Sequence, residues 1–167
     1  ENKWLGSKTK QGFYKKVDKD ILSLDLNTLE YRPQQKASFQ TLELTKTIDK
    51  VVDRFKVLVK GKDKAGDFYR KSFAGLFAYV SNRVPEITDD LYKIDDAMKA
   101  GFGWEHGPFQ IWDAIGVEKA LEFMNELGEK PAAWVQEMLA SGNKSFYTVK
   151  EGANYYYDIA SKTQKKI

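Results

Sequence analysis

The chain has 167 residues, 42% of them hydrophobic, with 27 basic and 24 acidic side chains, one His and no Cys. This length fits a single domain that buries roughly two-thirds of its unfolded surface, so we expect a packed core. The lack of Cys excludes disulfides, zinc ribbons and thiol nucleophiles, and a lone His106 excludes any metal site that needs two imidazoles.

Charge and hydropathy narrow the range of partners. Lys alternates with Asp and Glu along most of the chain, which argues against nucleic-acid binding. The longest apolar run, Phe73–Val80, is well short of the ~18 residues that span a bilayer. The chain opens with Glu1 and has no leader-like start, so we expect a cytoplasmic protein and a piece of a longer one.

The first 35 residues carry strand and turn signals. The apolar residues Ile21, Leu22 and Leu24, and then Leu29 and Tyr31, flank Asp25–Thr28. This predicts a hairpin turn in which Asn27 tolerates a left-handed backbone. Arg32–Gln35 then reads as a connector.

Helical periodicity begins after Ser38. The spacing predicts one amphipathic helix of roughly 20 residues that ends at Gly61. Asp63 is a candidate cap for a second helix, which is the most apolar and should lie centrally, and Pro85 should kink it, end it or start a further segment.

Shorter helices follow. Asp95 is the predicted N-cap of one that stops at Gly101 and Gly103, and Gly107-Pro108 opens the next. Two more helices follow Gly116, the second with Pro131 at its start, so the middle of the chain is predicted to be a multi-helix bundle.

Strand signals return after Gly142. Ser145–Val149 and Tyr155–Tyr157 flank a Glu151-Gly152 turn, which predicts a second hairpin before a Lys-rich end that frays or forms a linker. Lys10–Lys15 and Asn143–Tyr147 each lead from a turn into Phe-Tyr, which suggests two copies of one unit.

Candidates for chemistry are few. Gly101–His106 begins like a dinucleotide-binding fingerprint, but it lacks the third Gly and follows a helix, so we expect no cofactor site there. The acids between Glu86 and Asp96 are better explained as caps and a solvated face than as a catalytic pair, and His106 as a loop-packing residue. Asn82 either faces a cleft or satisfies a backbone group, and the second reading is favoured.

Several motifs in order resemble the C-terminal domain of 3-hydroxyacyl-CoA dehydrogenases. They are Ser81-Asn82-Arg83, Ile94–Met98, Gly101–Phe109 and Trp112–Val117. The opening Trp4–Tyr14 is similar to the tail that closes such a domain, with Lys10 where Gly is usual. The resemblance covers residues 1–15 and about 63–147.

The resemblance implies a mainly α fold: a multi-helix bundle like the C-terminal domain of 6-phosphogluconate dehydrogenase, with small β-hairpins at both ends. It divides the chain into three parts: residues 1–35 as the tail of a preceding repeat with a hairpin and linker, 36–147 as the helical module, and 148–167 as a hairpin and a linker to a following unit.

The resemblance also implies a parent enzyme, an NAD-dependent L-3-hydroxyacyl-CoA dehydrogenase of fatty-acid β-oxidation. NAD and the catalytic His and Glu would lie on a Rossmann domain outside this segment, so the segment alone should bind no NAD and be inactive. Asn82 matches a family position that reaches the reaction cleft from a first copy, and in a second copy it is expected to be a relic.

The expected role is to pack against the Rossmann domain and the first C-terminal repeat of the parent, in place of a dimer mate, beside a possible enoyl-CoA hydratase unit. The substrate of the parent would be an acyl-CoA. Interface candidates are Phe68, Phe73, Phe77 and Trp112, and a fragment that exposes them should self-associate. The alternatives are a stand-alone acyl-CoA or lipid-binding helical protein and a structural linker between dehydrogenase and hydratase units.

Overall fold

The computed structural model describes residues 2–167 and separates them into two compact units, one ending at Ser38 and the other beginning at Phe39. The first unit holds three strands, and the second holds seven helices followed by three strands, so the fold is mainly α with small sheets at both ends, as predicted. The helices are α1 (Gln40–Thr45), α2 (Val51–Lys60), α3 (Lys64–Ile87), α4 (Leu91–Phe102), α5 (Pro108–Ile115), α6 (Val117–Glu126) and α7 (Ala133–Ala140). The strands are β1 (Tyr14–Val17), β2 (Asp20–Leu24), β3 (Tyr31–Pro33), β4 (Tyr147–Lys150), β5 (Ala153–Asp158) and β6 (Thr163–Lys166).

The first unit is an antiparallel meander in the order β1-β2-β3. The turn between β2 and β3 is where predicted, but Leu29, not Asn27, has the left-handed backbone, with φ of 58°. The Asp25 side chain accepts the amide of Asn27 and the Asp25 carbonyl accepts the amide of Leu29. These two bonds form a short helical turn, and the left-handed residue that ends it is Leu29.

The predicted long helix before Gly61 is two helices. Thr41 in α1 donates its amide and hydroxyl to the Asp63 carboxylate at 2.9 and 2.7 Å. A straight helix from Thr41 to Lys60 would be about 28 Å long and would carry Thr41 away from Asp63. The chain therefore turns back between α1 and α2, while α2 ends at Gly61 as predicted.

Helix α3 continues past Pro85 to Ile87, where the sequence suggested a kink, an end or a new start. Proline has no N–H to donate to the carbonyl four residues earlier, which is that of Ser81. The indole N–H of Trp134 in α7 donates to this carbonyl instead, at 2.9 Å. The defect in the helix thus becomes the point where α7 attaches to α3.

The prediction that Asp95 is the N-cap of its own helix is wrong. Asp95 lies in the middle of α4 and is 1% exposed. Its carboxylate instead accepts the amides of Phe109 and Gln110 in the first turn of α5. Gly107 makes this approach possible, because a Cβ there would lie 2.3 Å from the Asp95 side chain. Asp95 therefore does cap a helix N-terminus, but the helix is α5 rather than α4.

The core is built on aromatic rings from α3 and α5. Phe77 stacks on Phe73 and on Trp112, with centroids 5.8 and 4.6 Å apart, and Phe146 meets Trp112 edge-on at 5.1 Å. Phe77 and Trp112 are fully buried and Phe73 is nearly so. These three interface candidates thus pack inside the core of this chain itself. Phe68, at 63% exposed, is the predicted candidate that stays on the surface.

The C-terminal strands form a second meander, in the order β4-β5-β6. The predicted hairpin is present as β4 and β5, but the Lys-rich end is strand β6 rather than a frayed tail. Lys165 of β6 pairs with the buried Asp158 carboxylate at 2.9 Å, which gives this basic segment a fixed register. In the part of the chain that the structure describes, no helix is both long and apolar enough to cross a membrane.

Two glycines of α3 provide a matched test of how closely its first turn packs. A Cβ on Gly66 would lie 2.1 Å from the Gly61 carbonyl oxygen, whereas a Cβ on Gly75 meets nothing within 4 Å. We expect Gly66→Ala to lower the free energy of unfolding by roughly 2 kcal/mol, through forced movement of the backbone. Gly75→Ala should raise it by about 0.5–1 kcal/mol, through helix propensity. Urea unfolding measures both, and equal effects would show that Gly61 and α3 are not in close contact.

Candidate functional site

The partly buried carboxyl group of Asp113 holds the second meander on the helices. Its two oxygens accept the backbone amides of Phe146 and Tyr147 at 2.8 and 2.9 Å. Helix α5 positions Asp113 one residue after Trp112, so the ring that packs against Phe146 and the carboxyl that binds its amide come from one turn. Both acceptors are used by backbone groups, which makes this carboxyl a structural clamp.

Asp95 joins three elements through one side chain. Besides the two amides of α5, its carboxylate accepts the hydroxyl of Tyr147 at 2.9 Å. A carboxylate at a helix N-terminus also interacts favourably with the helix dipole. Asp95 therefore connects α4 to α5 and both of them to the start of β4.

Burial governs the titration of these groups. Desolvation raises the pKa of Asp113 to about 7, against two backbone hydrogen bonds that lower it. Desolvation likewise raises the pKa of Asp95 to about 6, against hydrogen bonds from Phe109, Tyr147 and Gln110. Burial and the neighbouring Asp95 raise the pKa of Tyr147, so its hydroxyl stays neutral and donates. Perturbed pKa values here accompany a structural network in which every oxygen has a partner.

Asn82 and Arg83 close the end of α3. The Asn82 amide nitrogen donates to the carbonyls of Ala78 and Lys130 at 2.8 and 3.3 Å, which ties α3 to the loop before α7. Arg83 pairs with Glu86 and lies over the Tyr79 ring, 5.7 Å from its centroid. The donors of Asn82 are thus engaged with backbone groups in this structure.

His106 lines a cavity of about 640 Å³ together with Gln110, Asp113 and Tyr147. Its ring meets Phe55 edge-on at 6.2 Å, and its Nε2 lies 3.6 Å from the Glu105 carboxylate. No hydrogen bond in residues 2–167 joins the imidazole to Asp113, whose oxygens accept the amides of Phe146 and Tyr147. Within residues 2–167, no three or more His, Cys, Asp or Glu side chains are grouped so that they could hold a metal ion.

The acidic segment contributes contacts of a different kind. Asp90 accepts the hydroxyl of Tyr156 in β5 and pairs with Lys93 at 2.8 Å. The hydrogen bond from Lys93, with that from Tyr156, lowers the pKa of Asp90. Asp96 forms an exposed ion pair with Lys99 in the same helix. These carboxylates are used singly, each with its own partner.

Sequence reasoning missed Asp113 and Tyr147, which are the centre of this partly buried network. Their local signals are weak, because a single acid on an amphipathic helix and a Tyr in a strand are both common. Two signals were nonetheless present. The repeated Phe-Tyr sequence marked the start of β4, and the segment Trp112–Val117 belonged to the recognised motif set.

The fold and the site define a helical module closed by a β-meander, in which the carboxyl groups of Asp95 and Asp113 bind backbone amides of neighbouring elements. Residues 74–156 match the family described as "3-hydroxyacyl-CoA dehydrogenase, C-terminal domain", and the chain belongs to this family through that domain. The matched range runs from α3 through most of β5, so it contains both carboxyls and their partners.

The names of similar proteins agree with this family assignment. A Bacillus subtilis (strain 168) protein named "Probable 3-hydroxyacyl-CoA dehydrogenase" is 41% identical over 158 residues, which cover 95% of this chain and 20% of the relative. Two Rickettsia proteins are fatty acid oxidation complex trifunctional enzymes by name: that of Rickettsia felis is 30% identical over 119 residues, and that of Rickettsia prowazekii is 26% identical over 117. Each match covers 66% of this chain and 14% of the Rickettsia relative. No solved structure is significantly similar to the chain.

The titration of Asp113 yields a prediction with a definite sign. The folded pKa of about 7 lies above the value of 3.8 for an unperturbed Asp, so ionisation is harder in the folded state. The free energy of unfolding should therefore fall as the pH rises from about 4 to 7, with each unit of pKa shift equivalent to about 1.4 kcal/mol. Asp113→Asn should make this pH dependence shallower, and should cost roughly 1–3 kcal/mol at pH 4, since its amide nitrogen faces a backbone N–H.

Urea unfolding across this pH range measures both effects. Asp96→Asn is the matched control, because Asp96 is exposed and paired only with Lys99. An unchanged slope in Asp113→Asn would contradict the assignment of the titration to Asp113.

Proposed function

We propose that the chain is part of an NAD-dependent L-3-hydroxyacyl-CoA dehydrogenase of fatty-acid β-oxidation, in which it is a non-catalytic module that packs against and completes the reacting domains. The observation that carries the proposal is that polar side chains of the family's helical domain form hydrogen bonds with backbone groups of that same domain. Asn82, at the family's cleft position, donates to the Ala78 and Lys130 carbonyls, and Asp113 and Asp95 hold backbone amides. A module with its polar groups used in this way is suited to packing rather than to chemistry.

The assignment of NAD to another part of the parent is supported by the local structure of the Gly-rich segment. Gly103 is the C-cap of α4, with φ of 65°, so the segment ends a helix. A pyrophosphate site needs the opposite arrangement, a strand followed by the N-terminus of a helix. We therefore place NAD and the catalytic His and Glu on a Rossmann domain of the parent, and expect the parent to act in the cytoplasm.

The partners we propose are the Rossmann domain, a first C-terminal repeat and an acyl-CoA substrate of the parent. An enoyl-CoA hydratase unit in the parent is supported by the trifunctional-enzyme names of the Rickettsia relatives. The rival of an acyl-binding helical protein is not favoured. It needs the aromatic side chains of α3 to line a tunnel, whereas Phe73 and Phe77 stack against each other in the core.

Dehydrogenase assays of the full-length protein and of this chain test the proposal. The full-length protein should reduce NAD with an L-3-hydroxyacyl-CoA, and this chain alone should neither reduce NAD nor bind it. Asn82→Ala in the full-length protein should leave kcat within about twofold, since its amide contacts only backbone carbonyls.

Two results would count against the proposal: saturable binding of NAD or long-chain acyl-CoA to the isolated chain, or a full-length protein without dehydrogenase activity. Deletion of the segment from the full-length protein separates packing from linking. A packing module predicts a large loss of rate, whereas a linker predicts no change.

The packing role also predicts self-association of the isolated chain through Phe68, which is 63% exposed on α3. Sedimentation at increasing concentration should reveal oligomers, and Phe68→Ser should weaken them without changing the thermal midpoint, since Phe68 lies outside the core. Lys71→Ser, at another exposed position of the same helix, is the control and should change neither. A strict monomer at high concentration would contradict this surface assignment.

A further inference from the structure

The two meanders are the same structure repeated 133 positions apart. Tyr14 pairs with Ser23 in the first, and Tyr147 pairs with Tyr156 in the second. The correspondence holds through the third strands, where Leu24 pairs with Tyr31 and Tyr157 pairs with Gln164. Every residue pair between the strands of the first meander therefore has its counterpart in the second.

The turns repeat as closely as the strands. Left-handed residues stand at Asp18 and Leu29 in the first meander, with φ of 52° and 58°, and at Glu151 and Lys162 in the second, with φ of 50° and 55°. None of these is a glycine, so each is an uncommon conformation that the turn itself imposes.

Polar contacts repeat too. The Leu24 amide donates to the Phe13 carbonyl at 2.9 Å, and the Tyr157 amide donates to the Phe146 carbonyl at 2.7 Å. An Asp after the second strand pairs with a cation of the third in both copies. These ion pairs are Asp25 with Arg32 and Asp158 with Lys165.

The surroundings of the two copies differ completely. Phe146 is fully buried against rings of the helical module, and the Asp113 carboxyl accepts the amides of Phe146 and Tyr147. Phe13 is 71% exposed, and no carboxylate in residues 2–167 accepts the amide of Phe13 or Tyr14. Among residues 2–38 no hydrophobic side chain is buried. A three-stranded sheet of this size needs a covered apolar face to be stable.

We infer that the first meander docks on a second helical module of the kind formed by α3–α7. There an aspartate equivalent to Asp113 accepts the amides of Phe13 and Tyr14, and an aromatic pocket takes the Phe13 ring. The module in this chain is already filled by its own β4, so the recipient is a different copy. A depression of about 710 Å³ beside Phe13, Tyr14 and Ile21 provides space for the recipient's side chains. The inference rests on the proposed function, since a tandem parent chain supplies such a module.

A chimera of the 167-residue chain tests whether the first meander can dock on a helical module in the same way as the second. Residues 146–166 of the chain are replaced by residues 13–33, a segment of equal length. The chimera should unfold cooperatively and keep the near-ultraviolet circular dichroism of the packed Trp112 and Trp134. Asp113→Asn in the chimera should lower its thermal midpoint as much as it does in the natural chain. A chimera without tertiary signal, or one indifferent to Asp113→Asn, would overturn the inference.

A second measurement does not depend on the folding of the chimera. In the natural chain, Phe146→Ala should lower the thermal midpoint by roughly 6 °C or more, because it empties a packed site. Phe13→Ala should shift the thermal midpoint by less than about 1 °C, because the Phe13 ring is exposed and its removal leaves no cavity. Equal losses would mean that Phe13 is already packed and would overturn the inference. Neither measurement uses activity, so their failure is distinct from a failure of the proposed dehydrogenase function.

Discussion

The structure of the second unit depends on two carboxyl groups, the buried one of Asp95 and the partly buried one of Asp113, that bind backbone amides far away in the sequence. Asp113 takes the amides at the start of β4, and Asp95 takes those at the start of α5 together with the Tyr147 hydroxyl. Withdrawing a carboxyl from water is costly, and the cost is offset here because each oxygen receives at least one donor. The same bonds satisfy amides that would otherwise be buried without partners, at a helix start and a strand start. Helices α4 and α5 and the C-terminal meander are thus held in one arrangement.

The aromatic core and the polar links depend on each other. Trp134 contributes its ring to the cluster around Phe146 and its N–H to the Ser81 carbonyl that Pro85 leaves free. The Ser81 hydroxyl accepts the amide of Ala132 just before α7, so one residue of α3 binds this segment twice. Apolar packing alone is weakly directional, whereas these hydrogen bonds fix the rotation of α7 about its axis. The position of β4 follows, because Phe146 inserts beside Trp134.

Much of the fold could be predicted because its signals are local. Helical periodicity, the Asp63 cap, the glycine ends at Gly61 and Gly103 and the Gly107-Pro108 start all depend on residues within one turn of each other. What could not be predicted depends on tertiary contacts. The break between α1 and α2 follows from the bond between Thr41 and Asp63, and the destination of the Asp95 carboxylate follows from the close approach of Gly107. Exposure of an aromatic on α3 is equally non-local, since the periodicity does not say which of Phe68 and Phe77 a neighbouring helix covers.

The repeated meander separates two layers of information in the sequence. A few features that occur at equivalent positions in both copies set the backbone geometry. They are Phe-Tyr at the start, an Asp that caps the second turn, and a cation opposite that Asp. Most other positions differ between the copies, including Ser23 and Leu24 against Tyr156 and Tyr157. Because side chains on a strand alternate between faces, these changes alter what each sheet can pack against without changing its register. In the second copy Tyr156 packs against Tyr92 of α4 and Tyr157 against Trp134 of α7, whereas the first copy has the smaller Ser23 and Leu24 at these places. The difference in burial between Phe13 and Phe146 is therefore a difference in available partner, since the backbone that presents the two rings is the same.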